Sequence, residues 1–170
     1  MRPQLEQVAK FYQGYVSHVM HQDMFDALNE SSKITLKLIR SIPESKGEFR
    51  YAEGKWSIKE LLAHMLDVER IMAYRALRFA RNDKTDLPGF EENDYAPEAN
   101  ADGRTIAQMA NEMERLRATT VDLFKSFTPE MLLREGTANK NKLSVLVLGY
   151  VIPGHETHHR NILVERYLKA

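Results

Sequence analysis

The sequence contains no cysteine, which excludes disulfides, thiolate nucleophiles and cysteine-based zinc sites together. It has no charge bias either. Lys+Arg and Asp+Glu both number 24, so the net field that draws proteins to nucleic acid or anionic membranes is missing, and neither partner is expected. No apolar run is long enough to span a bilayer. The longest, Val145 to Ile152, is interrupted by Gly149 and falls well short of the ~20 residues a spanning helix needs. Near the start of the chain, Glu6 stands where a signal peptide needs an apolar core, so the expected location is cytoplasmic. Internal repeats, low-complexity tracts and strand-like alternation are also lacking,.

What is present fits one ordinary globular domain over residues 1–170, with 43% apolar and 28% charged residues,. Four long segments carry apolar residues at helical spacing. The first, about Asp23 to Ile42, carries Phe25, Leu28, Ile34, Leu38 and Ile39 and is closed by Pro43; a shorter helical piece precedes it around Leu5 to Val19. The second opens on the capping box Ser57-Ile58-Lys59-Glu60, with Trp56 placed to staple the entry, and runs to about Arg81,. The third opens on Thr105 and Gln108, a second capping box, and runs to about Phe127; Thr128-Pro129-Glu130 then starts a short helix,. The fourth runs from about Leu143 to Leu168, with a kink expected at Pro153-Gly154,.

Between the second and third helices lies a polar connection, Asn82 to Gly103, rich in turn formers,. Connections of that length are often functional, and Phe90 and Tyr95 are placed to pin it to the bundle. Asn139 to Lys142 marks a turn before the last helix. The pattern predicts an all-α four-helix bundle with a long loop between helices 2 and 3.

The histidines carry most of the chemical information. His155 and His159 are four residues apart on a predicted helix, which puts both rings on one face within reach of a single cation. His64 lies mid-way along another helix, on the apolar side with Leu61, Val68 and Ile71, and bundle cores commonly build metal sites from such facing residues. Three neutral imidazoles suit Zn, Ni, Fe or Cu and leave coordination positions open. A carbonyl-bonded core histidine and a chance i, i+4 pair are the plain alternatives for these features taken singly. His158 is turned about 60° from His155 by helical geometry and is left out of the ligand set. His18 and His21 are assigned to the surface.

His155-Glu156-Thr157-His158-His159 also matches H-E-x-x-H, in which the glutamate is the general base of a zinc protease. Neither common extension of that motif is met. Too little chain follows His159 to supply a later acidic ligand, and Ile162 and Glu165 stand where a glycine and a third histidine would fall. Glu156 and Asp67 remain candidates to orient a histidine or act as a base. Arg75 and Arg78 project within roughly 40° of His64, toward the long loop. Their partners are either carboxylates of neighbouring helices or an anionic group of a substrate, which arginine grips bidentately.

Several stretches together resemble the DinB-like superfamily, in particular its YfiT-like metal-dependent hydrolase branch. They are Lys55 to Glu60 leading to His64, Tyr74 to Arg81, Leu87-Pro88-Gly89-Phe90, Gly136 to Asn139, and Gly154 to His159. The resemblance implies a four-helix bundle with a divalent metal held by His64, His155 and His159, with nickel or zinc the usual metals and homodimers common. It further implies a metal-dependent hydrolase, or an S-transferase using bacillithiol, mycothiol or glutathione. With no cysteine of its own, the chain would take any such thiol from outside. The rival expectation is a non-catalytic metal-binding or stress-response bundle.

Overall fold

A computed structural model describes residues 2–169. Its elements are α1 Lys10–Ser17, α2 Met24–Arg40, α3 Ile58–Ala80, α4 Glu92–Glu98, α5 Ile106–Lys125, α6 Pro129–Leu132, β1 Glu135–Ala138, β2 Asn141–Ser144 and α7 Val145–Ile162. Side-chain caps start all four long helices. Asp23 accepts from the Phe25 and Asp26 amides, Ser144 accepts from Val147, and both expected capping boxes, Ser57 with Glu60 and Thr105 with Gln108, form completely. Caps of this kind each contribute about 1 kcal/mol.

Three details differ from the sequence expectation. Glu135–Ala138 and Asn141–Ser144 pair as an antiparallel hairpin. Its two-residue turn puts Asn139 and Lys140 at φ 49° and 61°, the left-handed geometry that such turns demand. Strands of four residues are too short to show alternation, so only the turn was legible. The last long helix continues through Pro153-Gly154, and its departure from α geometry comes later, at the π-helical turn Leu163–Leu168. The long loop is also partly ordered: Leu87 pairs with Ala138 and α4 follows it.

The four long helices α2, α3, α5 and α7 form the bundle, and the order in which they touch is unusual. α7 packs on α2 and α3, and α5 packs on the same two, so the consecutive long helices α2 and α3 occupy opposite corners. α1 packs on α7 from outside.

The core falls into two apolar clusters, one holding Leu28, Met72, Phe124 and Val151, the other Leu36, Leu62, Met109 and Leu163. A polar layer separates them. Each helix passes through it with its own contribution: Ser31 and Thr35 from α2, His64 and Glu69 from α3, Arg117 and Thr120 from α5, and His155, Glu156 and His159 from α7. Buried polar side chains are tolerable only when they satisfy one another or bind something, so this layer is where function is to be sought.

Candidate metal centre

The i, i+4 spacing on α7 sets His155 and His159 on one face, and α3 brings His64 against them. Their Nε2 atoms lie 3.0 Å (His64 to His155), 3.2 Å (His64 to His159) and 3.0 Å (His155 to His159) apart. An imidazole offers one in-plane lone pair at Nε2, and here three such atoms converge on a common point. Tetrahedral zinc with nitrogens at about 2.0–2.1 Å spaces them about 3.3 Å apart, so the donor set fits a small dication closely. Among the described residues, no carboxylate joins these three atoms.

Burial holds the three rings neutral, as ligation requires. It pushes His64 down to about 4 and holds His155 and His159 well below the ordinary histidine range, with the neighbouring imidazoles adding to the effect.

The triad opens on a cavity of about 180 Å³ whose lining includes Phe11, Tyr15, Trp56, Arg75 and Phe90. The Trp56 ring centre stands 4.8 Å from that of His64. Tyr15 meets His155 edge-on at 5.2 Å and His158 at 5.5 Å. Tyr15 comes this close because α1 crosses α7 at Gly154, where any Cβ would collide with the Tyr15 carbonyl. Three larger surface grooves contain none of the six histidines.

Behind the triad lies a charged cluster. Arg117 donates to both oxygens of Glu69 at 2.9 Å, to Glu156 Oε2 at 2.7 Å and to the Leu28 carbonyl at 2.5 Å. The Ser31 hydroxyl donates to the same Glu156 oxygen at 2.8 Å. Burial alone would lower the Arg117 pKa, but the two carboxylates outweigh it and raise it. Glu69, Glu156 and His155 line a common void of about 10 Å³. Glu156 Oε1 and His159 Nδ1 are buried beside these groups without a hydrogen-bond partner.

The structure distributes the remaining sequence candidates unevenly. Arg75 lines the cavity with the histidines. Arg78, three residues on, turns instead to Asp83 and Tyr74, so the two arginines do not form a pair at the site. Glu156 is not among the residues lining the cavity; its carboxylate is held by Arg117 and Ser31, which removes it from the position of a protease base. Asp67 lies outside the cavity too, beside Arg70 at 3.5 Å, with its pKa raised by partial burial against the arginines that lower it. His158 is no member of the triad, yet it lines the cavity and packs near His18. His21 is exposed.

Sequence reasoning missed Glu69, Arg117, Tyr12 and Tyr15. The first two did leave a trace. Glu69 lies on the apolar stripe of Met65, Leu66 and Met72, and Arg117 on that of Met113, Val121 and Phe124, and a charge within such a stripe must find a buried partner.

Comparison with known proteins places this architecture. Over 145 residues the chain is 26% identical to a protein of Oceanobacillus iheyensis provisionally named a metal-dependent hydrolase, covering 81% of this chain and 82% of the relative. Among solved structures it resembles YfiT from Bacillus subtilis, provisionally a metal-dependent hydrolase with an unusual four-helix bundle topology. That match has a TM-score of 0.72 and 14% identity, and covers 99% of this chain and 93% of YfiT. It also resembles the DinB-like protein YjoA of Bacillus subtilis, with a TM-score of 0.59, 20% identity, and 91% and 90% of the two chains covered. Residues 27–163 match the family model of the DinB superfamily, and the chain belongs to that superfamily.

Proposed function

We propose that the protein is a metal-dependent enzyme acting on a small molecule, with His64, His155 and His159 holding one divalent ion, nickel or zinc, and hydrolysis as its reaction. One observation carries this reading: three Nε2 atoms within 3.2 Å of one another, two on buried rings and one on a half-buried ring, open on a cavity of about 180 Å³. A purely structural site would be closed by a fourth protein ligand, and among the described residues none joins the three. The same feature weighs against a non-catalytic metal-binding or stress-response bundle.

A divalent ion at this position supplies Lewis acidity, which acidifies a bound water or thiol near neutral pH. The chain does the rest. Burial keeps the imidazoles unprotonated, the cluster of Arg117, Glu69 and Glu156 fixes the segment of α7 that carries two of them, and Tyr15 and Trp56 narrow the approach. Glu156 acts here as a positioning residue, and Asp67 has no part at the cavity. A second reading, transfer of an external low-molecular-weight thiol, is favoured by the absence of cysteine together with the largely aromatic approach to the triad.

The test is elemental mass spectrometry on protein purified without a histidine tag, beside a His155→Ala/His159→Ala variant. About one equivalent of transition metal in the parent and none in the variant is expected, followed by hydrolysis and thiol-transfer assays on the loaded protein. A parent that also refuses added zinc and nickel would refute the reading.

A further inference from the structure

Two arginines are buried to the same degree, Arg75 and Arg117, each 3% exposed. Their surroundings differ completely. Arg117 is enclosed by two carboxylates and a carbonyl. Arg75 has no carboxylate among the described residues within 4.0 Å. Its Nη2 donates to the Pro88 carbonyl at 3.0 Å, while its Nη1 reaches the Tyr12 hydroxyl only at 3.5 Å and the Met72 sulfur at 3.8 Å. A guanidinium carries five N–H donors, and only the one on the Pro88 carbonyl is engaged at an ordinary hydrogen-bond distance. A buried cation without a counter-charge is costly, and a methionine or leucine would fill the same space without that cost.

Position supplies the second argument. Arg75 lines the cavity onto which the histidine triad opens. His64 and Arg75 lie eleven residues apart on α3, which places them about 20° apart in projection and about 16 Å apart along the axis. Side chains lean toward the N-terminus of their helix, so the guanidinium reaches back toward the triad. Between the two ends the walls are apolar or aromatic, including Val68, Met72 and Phe90, whose ring centre lies 5.9 Å from Arg75 Cζ.

We propose that Arg75 is the anion anchor of this cavity, and that the substrate is a small monocarboxylate with an apolar body, its carboxylate on the guanidinium and its reacting end at the triad. The proposal rests on reading the triad as the reaction centre. A carboxylate matches the paired N–H geometry of the guanidinium, and the nearby Tyr12 hydroxyl has a proton to give. One positive charge, with Glu92 in the same lining, suits a monoanion and disfavours a phosphate dianion. The cavity is below the ~300–1,000 Å³ of drug-sized pockets, which limits the ligand to metabolite size.

The experiment is a set of NMR titrations with phenylacetate, its neutral isostere phenylacetamide, and phenylphosphonate. They are run on the metal-loaded protein, the chelator-treated protein, Arg75→Met and Arg75→Lys, with metal content measured on the same samples. Phenylacetate is expected to bind at least about ten-fold tighter than the amide, the preference that a hydrogen bond between charged groups supplies. The preference should disappear in Arg75→Met, survive in weakened form in Arg75→Lys, and persist after chelation. If Arg75→Met does not fold, Arg75→Lys against the parent decides. Equal binding of acid and amide, no saturable binding at millimolar concentration, or tighter binding of the phosphonate would overturn the proposal. So would a preference that vanishes on chelation and survives in Arg75→Met, because the anion would then be sitting on the metal. A protein that takes up no metal but keeps an Arg75-dependent preference would sink the reaction-centre reading alone.

Discussion

Arg117 reaches Glu156 at 2.7 Å across the bundle, from α5 to the stretch of α7 that lies between two histidines of the triad. The contact ties the helix carrying His155 and His159 to the opposite corner of the fold, and Glu69 completes it from α3.

Removing the arginine leaves two carboxylates buried without a counter-charge. On chelator-treated protein, Arg117→Ala is expected to lower the free energy of unfolding by about 3–5 kcal/mol, read from urea denaturation. An unchanged midpoint would show that the cluster does not hold the bundle together.

Acid should weaken the metal-free fold through the triad. Burial depresses His64 from 6.5 to about 4, and His155 and His159 are also depressed. Between those values the unfolded chain binds more protons than the folded one, so stability falls as pH drops from about 6.5 toward about 4 and is unaffected by these groups above that window. Urea midpoints of the chelated protein at about pH 7 and about pH 5 measure the slope, and His64→Gln should flatten it. Equal slopes for parent and variant would show that His64 does not titrate as described.

How much of this was visible beforehand follows from periodicity. The four long helices, the two capping boxes and the pair His155 and His159 are local patterns, set by residues three or four apart, and they could be read directly. His64 joined them only through the assumption that its helix packs against α7, which the fold supports. The hairpin escaped because its strands are too short to alternate. Glu69 and Arg117 escaped because a charge on a helix is by default read as solvated, and recognising their burial required knowing that α3 and α5 are neighbours. Arg75 and Arg78 project to either side of the His64 direction, about 60° apart, and Asp83 captures one of them. Sequence spacing gives the side of the helix and says nothing of the competitor.

The single tryptophan offers a direct readout of the centre. Trp56 is the only one in the chain, and its ring centre lies 4.8 Å from that of His64. Saturating nickel should quench its fluorescence strongly through the open d shell, whereas zinc, with a filled shell, should shift the emission with little quenching. A nickel titration that leaves the emission unchanged would mean the ion binds elsewhere.

Gly154 makes a prediction about shape. A methyl group there meets the Tyr15 backbone, so Gly154→Ala must push α1 away from α7. The overpacking should cost about 1–3 kcal/mol. The Tyr15 ring resonances should move in NMR spectra while the metal stoichiometry stays near one equivalent. Loss of metal in this variant would show that α1 supports the ligands as well as the cavity wall.

α1 contributes Phe11 and Tyr15 to the cavity, but none of the triad and none of the charged cluster behind it. It also precedes residues 27–163, the stretch that the family model matches. One wall of the cavity is therefore carried by a helix that supplies none of the three histidines, whereas Arg75 shares α3 with His64. A change confined to this one short outer helix can thus reshape what the cavity admits while leaving the three histidines and the charged cluster in place.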